Sequence, residues 1–464
     1  MIDRHSFLDR RNALRRLMAE EGGIILLPSN NEAPMNYPSN VYRYRQDSTF
    51  RYFFSACRDG FYGVIDIDEC RDTLYGDDFS MDDIIWMGDQ PTVHTLALEA
   101  GVENTSPLSS LAECISKARQ SGRKVHFLPP YRHDLQIELS RLLGITIDEM
   151  KSNISIPLVK AVVELRLIKS QDELAEIDKI CNTGVLMHQT VMKNAKIGVS
   201  EQYLAGLAEG VAISYGRGVS FPIILSQDGQ TLHNPFHEGT LEEGRLLLVD
   251  MGAESSTGYC SDYTRTLPVG GKFTQKQREI YEIVLKANMD SIAKARPGVK
   301  WQDVHFAACQ TLAEGLISLG LMKGSAEEAV GKGATSLFMP HGLGHAMGMD
   351  VHDMEGLGEN FVGYNDDVQR SQIFGHKSLR FGKHTQVGNV LTVEPGIYFI
   401  PALIEQWKRD KKFEEHICYE KLSDYYKFGG IRIEDDIVIT EDGCRVLGNP
   451  LQKSVAEIEE FMRG

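Results

Sequence analysis

Two apolar segments that each carry one aspartate constrain the fold of this chain most strongly. Residues 245–252 have the composition of a buried strand and contain Asp250, and residues 262–268 form a second β-prone run that begins at Asp262. The turn-rich segment 254–258 lies between them, so the pattern predicts a β-hairpin. In a hairpin the two carboxylates would lie side by side and repel each other. We therefore expect either a cation between them or one acid turned to water.

Two glutamates lie on further apolar strands. Glu394 ends a run of apolar residues and is followed directly by Pro-Gly, which predicts a turn at this point. Glu434 lies within the β-prone segment 430–440, and the alternation of side chains along a strand predicts that Arg432 shares its face. Both glutamates repeat the pattern of a carboxylate on an otherwise apolar strand.

The segment 341–353 contains three histidines within twelve residues, His341, His345 and His352, together with three glycines. So much glycine disfavours a helix and predicts a shaped loop or strand edge. Imidazole is a common metal ligand, although surface or hydrogen-bonded core histidines give the same pattern. One histidine with four acids makes a mostly oxygen ligand set that suits a pair of divalent ions such as Mn²⁺, Co²⁺ or Zn²⁺. The sequence therefore predicts two divalent metal ions, with Mn²⁺ favoured.

Composition limits the classes of partner. The formal net charge of −16 argues against nucleic acid or an anionic membrane surface, because either would require a basic face. No apolar run approaches the roughly 18 residues of a membrane helix, and the N-terminus has no apolar signal region. The eight cysteines are scattered without a Cys-x-x-Cys pair, which is typical of free thiols in a reducing compartment. These features predict a cytoplasmic protein with no nucleic-acid or membrane partner.

Alternating helical and strand-like patterns predict an α/β (α+β) protein. A helical pattern covers residues 5–21. Four short apolar runs that are expected to form strands follow at residues 23–28, 50–55, 60–67 and 124–129. The charge-poor segment 152–157 is the expected boundary between an N-terminal domain, residues 1–155, and a C-terminal domain, residues 156–464.

The C-terminal domain contains an internal repeat. Residues 195–199 (AKIGV) recur as residues 295–299 (ARPGV), each time between two helical segments, and a Leu-Ala-Glu-Gly run follows each copy. The repeat predicts two related α/β halves. A site between such halves would lie in a natural crevice.

The contexts of these acids and histidines resemble those of one enzyme family. They are VDMG, SDYTRT, HGLGHAMGMDVHD, VLTVEPGIY and GIRIEDD. These motifs are similar to the metal-ligand motifs of the pita-bread metallopeptidases, and within them to the proline-specific branch of prolidases and aminopeptidases P. Residues 44–50 and 62–67 resemble the N-terminal domain of that branch. The resemblance therefore implies a creatinase/aminopeptidase P-like α/β domain followed by a pita-bread domain, and a homodimer.

The resemblance also implies the metal site. Asp250, Asp262, His345, Glu394 and Glu434 correspond to the five family ligands. Two divalent ions would share Asp262 and Glu434 and lower the pKa of a water between them. Glu394 would also accept the proton of that water as general base. The interval from Asp250 to Asp262 is one residue longer than is usual in the family, but the extra residue falls in a turn, so we expect the ligand geometry to survive.

The same resemblance implies substrate roles for residues outside the ligand set. His352 and His233 match histidines that contact the substrate and stabilise the tetrahedral oxyanion, and His341 matches a position in the substrate pocket. Arg380 matches an arginine associated with the free carboxylate of proline, and Arg432 is expected to assist it. Without the resemblance, Arg380 could be one of several cations on a solvated loop.

These features imply a dinuclear-metal exopeptidase that hydrolyses the Xaa-Pro bond of small peptides with proline in the second position. Arg380 and the insertion at residues 401–429 favour an Xaa-Pro dipeptidase, or prolidase. The first alternative is an Xaa-Pro aminopeptidase acting on longer peptides, which shares every metal ligand. The remote alternative is a non-catalytic binding protein on the same fold, whose signature would be lost ligands.

Overall fold

The structure is a computed structural model that describes residues 2–464. The chain divides into two units: an N-terminal unit that extends to Arg166 and includes Met354–Phe361, and a C-terminal unit of Leu167–Asp353 and Val362–Gly464. Both units combine helices with strands, so the predicted α/β class is confirmed. The boundary after residue 155 stays a prediction.

The N-terminal unit is built on a five-stranded mixed sheet. Its strands are β1 (Ile24–Pro28), β2 (Pro34–Tyr37), β3 (Asn40–Val41), β4 (Tyr62–Asp66), β5 (Arg71–Tyr75), β6 (Asn104–Ser106) and β7 (Val125–His126). The order in the sheet is β6-β5-β4-β1-β7, and β2 pairs with β3 alone. β4 is antiparallel to β1 and β5, whereas β7 and β6 run parallel to their neighbours β1 and β5.

Helices flank the strands of the N-terminal unit in sequence. They are α1 (Arg4–Leu17), α2 (Ser48–Phe54), α3 (Met81–Met87), α4 (Val93–Glu99), α5 (Leu111–Gln120), α6 (His133–Leu143), α7 (Ile147–Asn153) and α8 (Ile156–Leu167), which reaches the division between the units. The helical pattern at residues 5–21 is confirmed by α1, which begins one residue earlier and ends four residues earlier than predicted.

The strand expected at residues 50–55 is wrong, because this segment forms helix α2. A short apolar run carries no periodicity that separates a strand from a buried helix. The deciding residue is Asp47, whose side chain accepts the N–H of Phe50 at 2.8 Å and caps the first turn.

The C-terminal unit contains several small sheets and long helices. Its strands are β8 (Gly218–Val219), β9 (Ile224–Ser226), β10 (Leu246–Met251), β11 (Ala253–Glu254), β12 (Tyr263–Pro268), β13 (Val390–Val393), β14 (Gly396–Tyr398), β15 (Gly430–Arg432), β16 (Asp435–Ile439) and β17 (Cys444–Val446). Its helices are α9 (Gln171–Asn194), α10 (Glu201–Tyr215), α11 (Gln275–Lys294), α12 (Trp301–Ser318), α13 (Ala326–Lys332), α14 (Glu359–Gly363), which begins in the inserted segment of the N-terminal unit, α15 (Pro401–Arg409), α16 (Tyr419–Leu422) and α17 (Val455–Arg463).

The predicted repeat is visible in the C-terminal unit. One half has the helix pair α9–α10 and the sheet β12-β10-β9, and the other has the pair α11–α12 and the sheet β13-β16-β17. The turns between the paired helices make equivalent bonds: the N–H of Gly198 donates to the carbonyl of Leu241 at 2.9 Å, and the N–H of Gly298 donates to that of Thr385 at 2.8 Å. The prediction of two related halves is therefore confirmed.

A buried amide in α11 fixes the ends of two strand segments that carry predicted site residues. The side-chain amide of Asn288 donates to the carbonyl of Val393 at 3.0 Å and to that of Ile433 at 3.3 Å. Asn288 is fully buried. Because Glu394 and Glu434 directly follow the residues that carry these two carbonyls, the amide fixes the backbone of both glutamates next to each other.

Two further observations concern the whole described chain. All eight cysteines are free thiols. Among residues 2–464, no helix combines the length and the apolar composition needed to cross a membrane.

Candidate active site

One cavity of about 500 Å³ in the C-terminal unit is lined by every residue that the sequence predicts for the site. These residues are Asp250, Asp262, His345, Glu394, Glu434, His233, His341, His352, Arg380 and Arg432. Apolar side chains form much of the remaining wall, among them Phe221, Ile224, Leu232 and Val351. The cavity thus joins a charged floor with an apolar wall, as small-molecule sites usually do.

The hairpin predicted for the two aspartates is present as β10 and β12. Asp250 is in register with Thr264, so Asp262 is its diagonal neighbour rather than the residue directly opposite. A cation lies beside one of the two acids: Nη2 of Arg432 donates to Oδ2 of Asp250 at 2.5 Å. The second oxygen of each aspartate, Oδ1, is buried and has no hydrogen-bond partner among the described residues.

His345 lies alongside β13, where its backbone pairs with that of Thr392. The N–H of Thr392 donates to the carbonyl of His345 at 3.0 Å, and the N–H of His345 donates to the Thr392 hydroxyl at 3.1 Å. A side chain at Gly344 would meet the carbonyl of Thr392 at 2.0 Å, so only glycine permits this approach. The glycines of the histidine segment therefore serve close packing against the strand.

The imidazole of His345 is oriented toward the acids. Its Nδ1 lies 3.1 Å from the carbonyl of Ala346, which can only accept, so Nδ1 carries the proton. Nε2 then presents a lone pair 3.4 Å from Oδ2 of Asp262 and 3.8 Å from Oε1 of Glu394. A lone pair facing two carboxylate oxygens is an arrangement that a shared cation would stabilise.

Glu434 completes a compact donor cluster. Ligand atoms of Asp262, His345 and Glu434 all lie within 4.8 Å of one another. The hydroxyl of Thr264 donates to Oε2 of Glu434 at 2.6 Å, which fixes that carboxylate. Burial, followed by the charges of neighbouring carboxylates, raises the pKa of Asp262 and of Glu434 well above the usual range. Together with the two unpaired aspartate oxygens, this oxygen-rich cluster fits divalent cations.

Glu394 reaches the cavity from the end of β13. Its backbone N–H donates to the carbonyl of Leu343 at 2.8 Å, and its side chain is partly exposed to the cavity. Burial raises the pKa of this carboxyl, against the opposing charge of Arg432 and the nearby His345. A carboxylate with a raised pKa is a better proton acceptor near neutral pH than an ordinary one.

A chain of hydrogen bonds crosses the cavity floor from a histidine to an aspartate. Nε2 of His341 lies 2.9 Å from the hydroxyl of Tyr398, and Nη1 of Arg432 donates to that hydroxyl at 2.7 Å. Arg432 then contacts Asp250 through Nη2. Burial and the charge of Arg432 lower the pKa of His341 to about 3, so this imidazole is neutral and accepts the phenolic proton.

Three residues of the site were not predicted from the sequence: Thr264, Tyr398 and Asp436. Oδ2 of Asp436 accepts the backbone N–H of Asp262 at 2.9 Å. Two of them could have been found from the alternation of side chains along a strand, in which residues two apart share a face. Thr264 is two residues after Asp262, and Asp436 is two residues after Glu434. No comparable signal distinguishes Tyr398 from an ordinary strand tyrosine.

The remaining predicted residues line the cavity around this floor. The ring of His352 packs against that of His345, with centroids 4.1 Å apart. The next residue, Asp353, forms a buried ion pair with Lys169 at 2.8 Å, which fixes the backbone beside His352. Arg380 enters the cavity wall just after the short 3₁₀-helix His376–Ser378, and His233 enters from the loop that follows β9.

The chain matches two families of known domains. Residues 175–441 match metallopeptidase family M24. Residues 7–126 match the N-terminal domain of aminopeptidase P.

Curated relatives align over almost the whole chain. The Xaa-Pro dipeptidase of Homo sapiens is 32% identical over 472 residues, which cover 98% of this chain and 93% of the relative. A probable Xaa-Pro aminopeptidase of Fusarium vanettenii is 32% identical over 453 residues, which cover 97% of this chain and 94% of the relative.

Two solved structures of similar fold are aminopeptidases P. The structure of Pseudomonas aeruginosa aminopeptidase PepP superimposes with a TM-score of 0.81 at 25% identity and covers 100% of this chain and 99% of its own. Zinc-substituted Escherichia coli aminopeptidase P in complex with product superimposes with a TM-score of 0.81 at 28% identity and the same coverage.

Proposed function

Because this chain belongs to metallopeptidase family M24, we propose that it is a dinuclear-metal exopeptidase that hydrolyses the Xaa-Pro bond of small peptides. The observation that carries the proposal is the cluster of Asp262, His345 and Glu434, with the unpaired buried oxygens of Asp250 and Asp262 beside it. Relatives named Xaa-Pro dipeptidase and Xaa-Pro aminopeptidase support the substrate class.

The metal centre is assigned to five residues. Asp250, Asp262, His345, Glu394 and Glu434 would hold two divalent ions, Mn²⁺ in preference to Co²⁺ or Zn²⁺. When bound, such ions polarise the scissile carbonyl and lower the pKa of a water. The high pKa that burial imposes on the cluster means that cations must compete with protons for it.

The protein's own groups are assigned to orientation and proton transfer. Glu394 takes the proton of the attacking water, since it has a raised pKa and reaches the cavity. His352 and His233, on the cavity wall, donate to the oxyanion that develops on the carbonyl. His341 is neutral and hydrogen-bonded to Tyr398, which suits a residue that lines the substrate pocket without adding charge.

Arg380 is assigned to the substrate's free carboxylate. A guanidinium binds a carboxylate through two parallel hydrogen bonds, and Arg380 lies on the cavity wall. Arg432, the second predicted substrate residue, is buried and donates to Asp250, Tyr398 and Thr264. These contacts favour a positioning role for Arg432, and direct contact with substrate stays a prediction.

The preferred activity is that of an Xaa-Pro dipeptidase. An Xaa-Pro aminopeptidase is the second candidate, because the structural neighbours named above are aminopeptidases P. The five predicted ligands all line the cavity, which argues against a non-catalytic binding protein.

Hydrolysis of Ala-Pro and of Ala-Pro-Ala with added Mn²⁺ tests the assignment. For a dipeptidase, we expect Ala-Pro to be cut far faster, and Arg380→Ala to raise KM for Ala-Pro by about 100-fold through loss of a charged hydrogen-bond pair. Lys377→Ala, an exposed cation in the same segment, is the matched control and should leave both rates unchanged. If both peptides are cut equally and Arg380→Ala has no effect, the enzyme is an aminopeptidase and Arg380 is a loop cation.

Three wider features are also proposed. The family resemblance supports a homodimer, the scattered cysteines support a cytoplasmic location, and the charge-poor segment 152–157 supports domains of residues 1–155 and 156–464. The free cysteines support a reducing compartment. Light scattering on the purified protein tests the first feature, since a homodimer has twice the 51.9 kDa mass of the chain.

A further inference from the structure

Three potential metal ligands meet in the core of the C-terminal unit, apart from the residues that line the cavity. His305 and Cys309 lie one turn apart on α12, and His376 begins the 3₁₀-helix His376–Ser378. Each of the three is at most 2% exposed. Nε2 of His305 lies 2.9 Å from Nδ1 of His376 and 3.7 Å from Sγ of Cys309, and donor atoms of all three lie within 4.8 Å of one another.

Only one of the two imidazoles, that of His376, already presents a lone pair to the cluster, and this lone pair accepts the Nε2 proton of His305. Nε2 of His376 lies 3.0 Å from the carbonyl of Val330, which can only accept, so Nε2 carries the proton and Nδ1 presents its lone pair to the cluster. This outward bond to a backbone carbonyl is the usual way in which a metal-ligating histidine is oriented. Burial lowers the pKa of His305 and of His376, so both rings are neutral.

The spacing of the donors is close to that of a tetrahedral or trigonal site. Metal–nitrogen bonds of about 2.0 Å and metal–sulfur bonds of about 2.3 Å place tetrahedral ligands roughly 3.3 to 3.6 Å apart. The sulfur–nitrogen distance of 3.7 Å nearly meets this condition, and the nitrogen–nitrogen distance of 2.9 Å requires only a small ring movement. The side chain of Thr335 lies beside the thiol, and its hydroxyl is buried.

We propose that His305, Cys309 and His376 bind one thiophilic metal ion, Zn²⁺ or Cu⁺, at a site separate from the catalytic cavity. Binding forms one metal–sulfur and two metal–nitrogen bonds, releases the thiol proton of Cys309 to solvent, and moves the proton of His305 from Nε2 to Nδ1. No atom changes oxidation state. With Cu⁺ the thiolate complex is neutral, and with Zn²⁺ it carries one positive charge.

The site would connect α12 to one segment that leads to the cavity. His376 precedes Arg380, which lines the cavity, by four residues. A bound ion would therefore hold the segment that carries Arg380 against α12. Burial raises the pKa of Cys309 to about 12, so the bound ion must displace the thiol proton.

Cobalt substitution of the full-length protein tests the proposal without an activity assay. A cysteine thiolate bound to Co²⁺ gives a sulfur-to-metal charge-transfer band in the near ultraviolet, whereas the oxygen and nitrogen ligands proposed for the catalytic cavity give none. We expect this band in the wild type and in Cys444→Ser, a partly buried thiol outside the cluster. We expect its loss in Cys309→Ser and in His376→Gln.

The amounts of Zn²⁺ and Cu⁺ that the protein retains show which of the two ions the site prefers. Each ion is loaded in turn, with Cu⁺ kept anaerobic and reduced, and bound metal is counted after dialysis. For the ion that the site prefers, the wild type should retain about one more ion per chain than Cys309→Ser. Absence of the cobalt band in the wild type, or equal retention of both ions by the wild type and Cys309→Ser, would overturn the proposal.

Discussion

Arg432 donates through Nη2 to Oδ2 of Asp250 at 2.5 Å, and both side chains are less than a tenth exposed. This buried pair supplies part of the positive charge that the aspartates of the β10–β12 hairpin require. Oδ1 of Asp250 and Oδ1 of Asp262 remain without partners among the described residues. The arginine therefore stabilises one side of the acidic cluster and leaves the other side to a cation.

Replacing Arg432 by methionine should strongly destabilise the metal-free protein. The change leaves the buried carboxylate of Asp250 without its partner, which costs about 3–5 kcal/mol in free energy of unfolding. Arg445→Met is the control, because Arg445 forms a bidentate pair with Asp178 at a partly exposed position, where such a pair contributes about 0–1 kcal/mol. Urea unfolding measures both, and equal losses for the two variants would refute the role of the buried pair.

Replacing Tyr398 by phenylalanine should reduce catalysis and preserve the fold. The lost hydroxyl joins His341 to Arg432, so the neutral histidine loses its partner at the cavity floor. We expect kcat/KM for Ala-Pro to fall by about 10-fold, the effect of one hydrogen bond. Tyr419→Phe also removes a hydrogen bond, from the hydroxyl to the carbonyl of Lys412, and should leave kcat/KM unchanged. The same fall in both variants would exclude a specific role for Tyr398.

Replacing Asp436 by alanine should weaken metal binding. Asp436 accepts the backbone N–H of Asp262 and so positions this ligand from behind the cluster. Loss of this bond is expected to lower Mn²⁺ affinity about 10- to 100-fold. Competition with a chelator measures this affinity, with Asp178→Ala as a control for removal of an acid outside the cavity. Wild-type affinity in Asp436→Ala would show that the bond does not position Asp262.

Stability should fall on acidification because of His188. Burial, followed by the charge of Arg265, lowers the pKa of His188 to about 3 in the folded protein. In the unfolded chain the same histidine has a pKa of about 6.5, so on acidification the unfolded state binds a proton before the folded state does. The contribution of neutral His188 to the free energy of unfolding is therefore complete above pH 6.5 and is lost as the pH falls toward 3.

Urea unfolding of the metal-free protein at pH 7 and pH 5 measures the contribution of His188. From pH 7 to pH 5 we expect His188 to account for a loss of about 2 kcal/mol. His188→Gln should therefore lose about 2 kcal/mol less than the wild type over this range, whereas exposed His133→Gln should follow the wild type. Parallel pH profiles for wild type and His188→Gln would contradict the buried, neutral state of this residue.

The position of the acids and histidines in a common cavity could be expected from the sequence. Each acid shows the same local pattern, an apolar strand ended or interrupted by a carboxylate, which is a weak signal alone. Four such acids indicate a shared site, because buried charges require nearby groups that neutralise them. The five motif contexts together carry more information than any one of them. The helix at Ser48–Phe54 could not be predicted from its apolar residues, because a short apolar run is compatible with a strand or a helix. A single residue that caps the first turn favours the helix here.

Tertiary contacts account for what the sequence does not reveal. Alternation predicts that Arg432 and Glu434 share a face, but the contact of Arg432 with Asp250 depends on how β15 meets the β10–β12 hairpin. Likewise, His305 and His376 are 71 residues apart in the chain, so nothing local indicates that their rings meet. Residues that act through such distant pairs can be found only in the folded structure.

Hydrolysis of Ala-Pro as a function of Mn²⁺ bound to metal-free protein tests the central claim most directly. The two unpaired aspartate oxygens and the Asp262, His345 and Glu434 cluster predict no hydrolysis without metal and a rise that saturates at about two catalytic ions per chain. Full hydrolysis by the metal-free protein, or none at any Mn²⁺ loading, would contradict a dinuclear Xaa-Pro peptidase.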